Sequence, residues 1–208
     1  MTFKELCEGI ISDDALHAKW LNTLSLMESI GARKIIAHQN ILRTDFNILR
    51  HMAEEVRHAY ILKKQIQKLN ISMLNDYQFQ CLLAPIQTYH YLTALEVMAS
   101  RWIKDELRQR GEELKRSAYV LVTYIIECRA MEVYPVYQSV LDTHGSKVNV
   151  QTIIREEETH LADMKRSLAK SFPDCDGAIQ HMLALENKWF LNWVQGISKA
   201  LQRHSLLS

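Results

Sequence analysis

Two stretches decide the reading of this chain: EEVRHAYILKK at residues 54–64 and EEETHLADMKR at residues 156–166. Each holds a Glu-x-x-His, Glu55 with His58 and Glu157 with His160. On an α-helix this spacing puts both side chains on one face with Cβ atoms about 5–6 Å apart, so each pair can reach one metal ion. Upstream, MESIGARKIIAHQ (27–39) aligns with IECRAMEVYPVYQ (126–138), which sets Glu28 over Glu127 and Gln39 over Gln138. The later stretches set Glu54, Glu55, His58 and Lys63 over Glu156, Glu157, His160 and Lys165. The isolated Glu precedes its Glu-x-x-His by 27 residues in the first half and by 30 in the second, and a two-fold internal repeat is the economical explanation.

The surrounding sequence is helical throughout. Only 6 Gly and 3 Pro occur in 208 residues, about a third of average usage, and apolar residues recur at three- and four-residue steps. The pattern predicts an all-α fold in a single domain, 1–208. Its bundle helices run at about 13–39 (capped by Ser12 or Asp13), 44–70 (opened by Thr44 or Asp45), 112–143 and 148–171. A helical insertion occupies about 75–110, starting at Asn75 or Asp76 and interrupted or bent at Pro85, and a last helix runs at about 174–203. Pro135 is expected to kink the third bundle helix, and His144-Gly145-Ser146 to end it. Short connections make 13–39 with 44–70, and 112–143 with 148–171, two antiparallel hairpins.

In the first hairpin Glu28 lies about 13 residues before the turn and Glu55 about 14 after it, so at 1.5 Å per residue both reach one level. Glu127 and Glu157 lie about 18 and 12 residues from Gly145, and a longer loop or a bulge near Pro135 must absorb the difference. Glu28 sits in LSLMESIGA and Glu127 in LVTYIIECRAM. Carboxylates in such apolar runs are costly to bury unless they are paired or bind a cation, which argues against reading them as solvated surface charges. Four glutamates and two histidines facing the middle of a four-helix bundle form a two-metal site.

In these residues, Glu28, Glu55, His58, Glu127, Glu157 and His160, the sequence resembles the ferritin-like diiron-carboxylate superfamily over roughly residues 13–171. The resemblance implies a four-helix bundle made of two antiparallel hairpins, two Fe ions (or Mn, or mixed Mn/Fe) and a non-haem diiron oxygenase or oxidase. Such an enzyme uses O2 to oxidise a small or apolar substrate and draws on an external electron donor. It also implies that Glu156 orients His58 and Glu54 orients His160 from the opposite hairpins, since a metal-bound imidazole is held through its other N–H. A dimanganese catalase or peroxidase uses a similar ligand set, and hard oxygen and imidazole donors suit both metals. A storage protein is disfavoured by the histidine on both hairpins and by the 72-residue step from Glu55 to Glu127. A peroxidase with a Cys-rich iron module lacks its cysteines here. A metal-free interaction bundle is the structural alternative.

Other residues are weighed against these. Tyr124 and Tyr134, three before and seven after Glu127, are expected near the metal level, as ligand partners or as core tyrosines. Gly31, Ala32 and Ala130 leave space beside the metals, for oxygen and substrate or for close helix packing. Glu132 competes with Glu127 but aligns with Arg33, Glu96 reads as an ion-pair partner rather than an additional buried acid of the site, and His51, one turn before Glu55 on the same face, reads as a satisfied core histidine rather than a third imidazole ligand. His38, His90, His144 and His181 show no partner pattern. Trp189, Phe190 and Trp193 are expected to cover the bundle or a homodimer seam.

With 25 Lys plus Arg against 24 Asp plus Glu there is no overall field for a polyanion. Although the superfamily includes a hydroxylase of modified tRNA, segment 101–116 mixes its basic residues with Asp105, Glu106, Glu112 and Glu113, so no nucleic-acid partner is expected. Four scattered cysteines form neither a disulfide framework nor a zinc ribbon. MTFKELCEGIISDD lacks a signal-peptide core and no stretch reaches 18 apolar residues, so a cytoplasmic protein without a membrane span is the expectation.

Overall fold

The apolar periodicity resolves into seven α-helices and no strand among the described residues of the computed structural model, 1–38, 42, 44, 46–72 and 74–206. The helices are α1 (Phe3–Ile11), α2 (Asp14–His38), α3 (Phe46–Ile66), α4 (Pro85–Glu106), α5 (Gly111–Thr143), α6 (Gln151–Ser171) and α7 (Cys175–Ser205). Two pairings dominate: α2 packs on α3, and α5 packs on α6. None of the described helices is long and apolar enough to cross a membrane.

Differences from the expected boundaries have local causes. A first helix not expected from the sequence, α1, forms ahead of α2, and its start is a capping box: the Thr2 hydroxyl accepts from the Glu5 amide at 3.2 Å and the Glu5 carboxylate from the Thr2 amide at 2.7 Å. Its Leu6, Cys7 and Ile10 are buried. Of the two candidate caps of α2, Asp13 accepts from the Leu16 amide at 2.8 Å. The insertion is not helical from residue 75. Only a 3₁₀ turn, Phe79–Cys81, precedes α4, and Pro85 occupies its first turn, where the missing N–H costs nothing; Pro85 starts the helix rather than bending it. Pro135 lies inside α5, which continues to Thr143. Gln39 and Asp45, the expected end of one helix and start of the next, lie outside the described residues.

The end of α5 answers the mismatch in the second hairpin. Gly145 takes the left-handed conformation at φ +61°, the Ser146 amide donates to the Leu141 carbonyl at 2.9 Å, and the helix closes in a Schellman-type turn. The chain then runs back along α5: Val148 and Val150 are buried, and the Val150 amide donates to Gln138 Oε1 at 2.7 Å. Helix α6 therefore begins level with Gln138, and counting on from there brings His160 level with Glu127.

Helix α7 covers the bundle with its aromatic residues. Trp193 stacks between Trp20 (5.6 Å between centroids) and Tyr91 (6.0 Å) and donates to Thr88 Oγ1 at 2.9 Å. Beneath it, the Tyr137 hydroxyl and His17 Nε2 share a hydrogen bond of 2.5 Å, and burial holds His17 down at about 4. Because the unfolded chain takes up this proton near the ordinary pKa of about 6.5 and the folded chain does not, His17 lowers stability as pH falls from about 6.5 to 4. The loss amounts to about 3 kcal/mol at completion. In His17→Gln, urea unfolding at pH 7 and at pH 4.5 is expected to show a smaller acid loss than wild type; an equal loss would place the acid sensitivity elsewhere.

Candidate metal centre

Helices α2, α3, α5 and α6 each lend acidic side chains to one buried region. Two clusters form there, within each of which the ligand atoms lie within 4.8 Å of one another: Glu28, Glu55, His58 and Glu157, and His51, Glu55, Glu127 and His160. Glu55 belongs to both. Glu157 also lies between the two, with Oε1 3.0 Å from His58 Nδ1 and Oε2 2.8 Å from His160 Nδ1. All six residues singled out from the repeat thus converge.

His58 and His160 face the centre through Nδ1 and are held from outside through Nε2. His58 Nε2 donates to Glu156 at 2.7 Å and His160 Nε2 to Glu54 at 2.7 Å, each acid coming from the opposite hairpin. Arg57 clamps Glu156 at 2.6 Å, and Arg50 lies 3.8 Å from Glu54 while bonding Asp163 at 2.7 Å. Each ring is thereby held in one orientation, as a metal-bound imidazole requires.

The tyrosines separate. Tyr134 is buried and donates to Glu28 Oε1. Tyr124, expected at the same level, instead has Cys128, Cys175 and Asp176 as neighbours, and burial, then these groups, push its phenol up to about 12. Glu132 is exposed and paired with Arg129, and Glu96 lies 2.9 Å from Lys34; neither joins the clusters.

His51 is the residue that sequence reasoning weighed as a third imidazole and set aside. Read as a satisfied core histidine, it is buried with neither ring nitrogen hydrogen-bonded. Its Nε2 lies 3.3 Å from a carboxylate oxygen of Glu55 and 3.3 Å from one of Glu127, in contacts misaligned for hydrogen bonding. The signal available was His-x-x-x-Glu, one face at i, i+4. The repeat argument concealed it, because its counterpart in the second half is Ile153.

Burial, and then the charges of Glu55 and Glu157, push Glu28 well above the usual carboxylate range; burial, and then Glu157, do the same to Glu127. Burial pulls His58 down, but the nearness of Glu157 and the charges of Glu28 and Glu55 outweigh it and raise it to about 10. Burial would also raise Glu157, yet His160 and His58 hold it below its ordinary value. Buried carboxylates crowded this closely need positive charge. With the unbonded nitrogens of His51 and of His58 Nδ1, they form a donor set that fits two hard or borderline dications.

Space is reserved beside the centre. A Cβ at Gly31 would stand 2.8 Å from Glu55 Oε2, so glycine lets the carboxylate lie against α2. A cavity of about 50 Å³ opens next to His51, Glu55 and Glu127, with Ile35, Val122 and Ile126 among its walls; one water needs only about 10–15 Å³. Comparison with known proteins finds no family model, no curated protein and no solved structure that matches this chain.

Proposed function

We propose that the chain is a non-haem dimetal-carboxylate oxidoreductase of the ferritin-like kind, a diiron oxygenase or oxidase that uses O2 to oxidise or hydroxylate a small, largely apolar organic substrate. One observation carries the reading: two clusters of carboxylates and imidazoles share Glu55, with Glu157 between their histidines, as two metals held roughly 3.5–4 Å apart require. Two iron ions, when bound, supply the electrons that reduce O2 and the oxidising capacity delivered to substrate, and an external donor restores them. The chain's own residues do the rest. Glu156 and Glu54 orient the imidazoles, Tyr134 holds Glu28 by donating to its Oε1, and the apolar walls by Ile35, Val122 and Ile126 limit water and favour an apolar guest.

Metal analysis of anaerobically reconstituted protein is expected to return two irons per chain, and admitting O2 should raise near-ultraviolet absorption within seconds. Glu54→Ala and Glu156→Ala should each weaken iron binding by about 10- to 100-fold. Iron-loaded protein inert to O2 would overturn the oxygenase reading, and manganese-loaded protein that rapidly evolves O2 from peroxide would replace it with a catalase.

A further inference from the structure

One buried imidazole has no role in holding the fold together. His51 is 3% exposed, and neither Nδ1 nor Nε2 has a hydrogen-bond partner. A neutral imidazole always carries one N–H, so a donor is left unpaired in either tautomer, where buried polar groups are otherwise paired. The second half of the repeat shows that the packing does not require it, since the counterpart on α6, Ile153, fills its place as an ordinary buried aliphatic. His17 shows the satisfied kind of core histidine, its Nε2 sharing a hydrogen bond with the Tyr137 hydroxyl.

The ring is aimed at carboxylates. Its Nε2 stands 3.3 Å from Glu55 Oε1 and 3.3 Å from Glu127 Oε1, and its centre lies 4.3 Å from that of the His160 ring. Donors bonded to one first-row dication at about 2.0–2.2 Å stand about 3.0–3.5 Å apart, so these separations match those of neighbours around a shared ion. Helix α3 thus brings three donors to the centre, His51, Glu55 and His58, where α6 brings two, Glu157 and His160.

We propose that His51 is a metal ligand and that it makes the two halves of the centre unlike. The proposal rests on the dimetal reading above and deepens it. One position takes Glu28, Glu55, Glu157 and His58, three carboxylates and one imidazole; the other takes Glu55, Glu127, His51 and His160, two of each. Imidazoles suit zinc and iron, whereas carboxylates suit manganese and magnesium. The positions therefore differ in metal preference, and zinc fills the two-imidazole position first. The cavity beside the centre is walled by His51, Glu55 and Glu127 and not by Glu28, His58 or Glu157, so the two-imidazole position is also the one facing the space for a guest. His51 has no outer acceptor of the kind that Glu156 and Glu54 give His58 and His160, so its removal weakens that position rather than emptying it.

Zinc titration of the full metal-free chain, followed by nitrogen NMR of isotope-labelled histidine rings, reads the assignment without a substitution. With the first equivalent the His51 and His160 signals are expected to shift, and His58 only with the second. Calorimetry should resolve two steps of unequal affinity. His51→Leu, checked for unchanged helicity, should weaken the tighter step at least about tenfold and change the other less. A His51 signal unmoved at two equivalents, or His58 shifting first, would overturn the proposal. Zinc has no redox chemistry, so the outcome is independent of oxygen reactivity: an unmoved His51 in protein that binds two zinc ions removes the ligand assignment and leaves the oxygenase reading standing. A chain that takes up no zinc removes both.

Discussion

Replacing Glu55 with alanine or glutamine is expected to abolish the binding of both metal ions while leaving the metal-free protein as stable as wild type, or more so. Glu55 is the one residue common to the two clusters, so its loss removes a donor from both of the proposed metal positions together. The fall in affinity should exceed the roughly 100-fold seen when only an outer hydrogen-bonding partner of a ligand is lost. The stability expectation has the opposite sign and follows from the same geometry. In the metal-free protein the Glu55 charge raises both Glu28 and Glu127, so deleting it relieves repulsion among buried carboxylates. A carboxylate serving only the fold would behave in reverse, destabilising the protein when removed and leaving metal content untouched. Metal stoichiometry and melting temperature of the metal-free variants, measured together, separate the two. Glu55→Gln keeps the side-chain volume, so a lower melting temperature in that variant would count against the metal-site reading.

Much of this centre was legible because helical geometry converts sequence spacing into direction. Glu55 with His58 and Glu157 with His160 lie on shared faces whatever the rest of the chain does, and the repeat linked them to Glu28 and Glu127. What stayed hidden depended on angles or on loops. Tyr134 lies seven residues from Glu127, within about 20° of it around the helix, whereas Tyr124 lies three away, about 60° off. Glu55 and His58 are the same angle apart and share a face, so the offset alone does not decide it; packing beside Cys128 and Cys175, the latter on α7, does. The level of Glu127 depended on the non-helical return that ends with Val150 on Gln138, which periodicity does not report. His51 was lost for the opposite reason, since a symmetric repeat cannot point to an asymmetric residue. Glu186 had no motif at all, being one acid in an amphipathic helix, and only the packed structure reveals that it is fully buried.

That carboxylate supports the second large effect. Glu186 on α7 receives Arg129 Nε at 2.9 Å on Oε1 and Arg129 Nη2 at 2.6 Å on Oε2, while the Tyr91 hydroxyl donates to Oε1 at 2.6 Å. The guanidinium also lies 3.9 Å from the centre of the Phe190 ring. Helices α4, α5 and α7 are therefore joined through one buried charge. Arg129→Ala leaves that carboxylate in the core without its cation and is expected to lower the unfolding free energy by about 3–5 kcal/mol. An apolar replacement of the whole group, Arg129→Met with Glu186→Leu and Tyr91→Phe, leaves no buried charge or hydroxyl unpaired, only exposed Glu132, and should recover most of the loss, because buried ion pairs gain little over well-packed apolar groups. Urea unfolding followed by circular dichroism measures both. If the triple variant is no more stable than Arg129→Ala, shape rather than charge holds α7 in place; if Arg129→Ala costs less than about 1 kcal/mol, the bridge is worth no more than a surface pair.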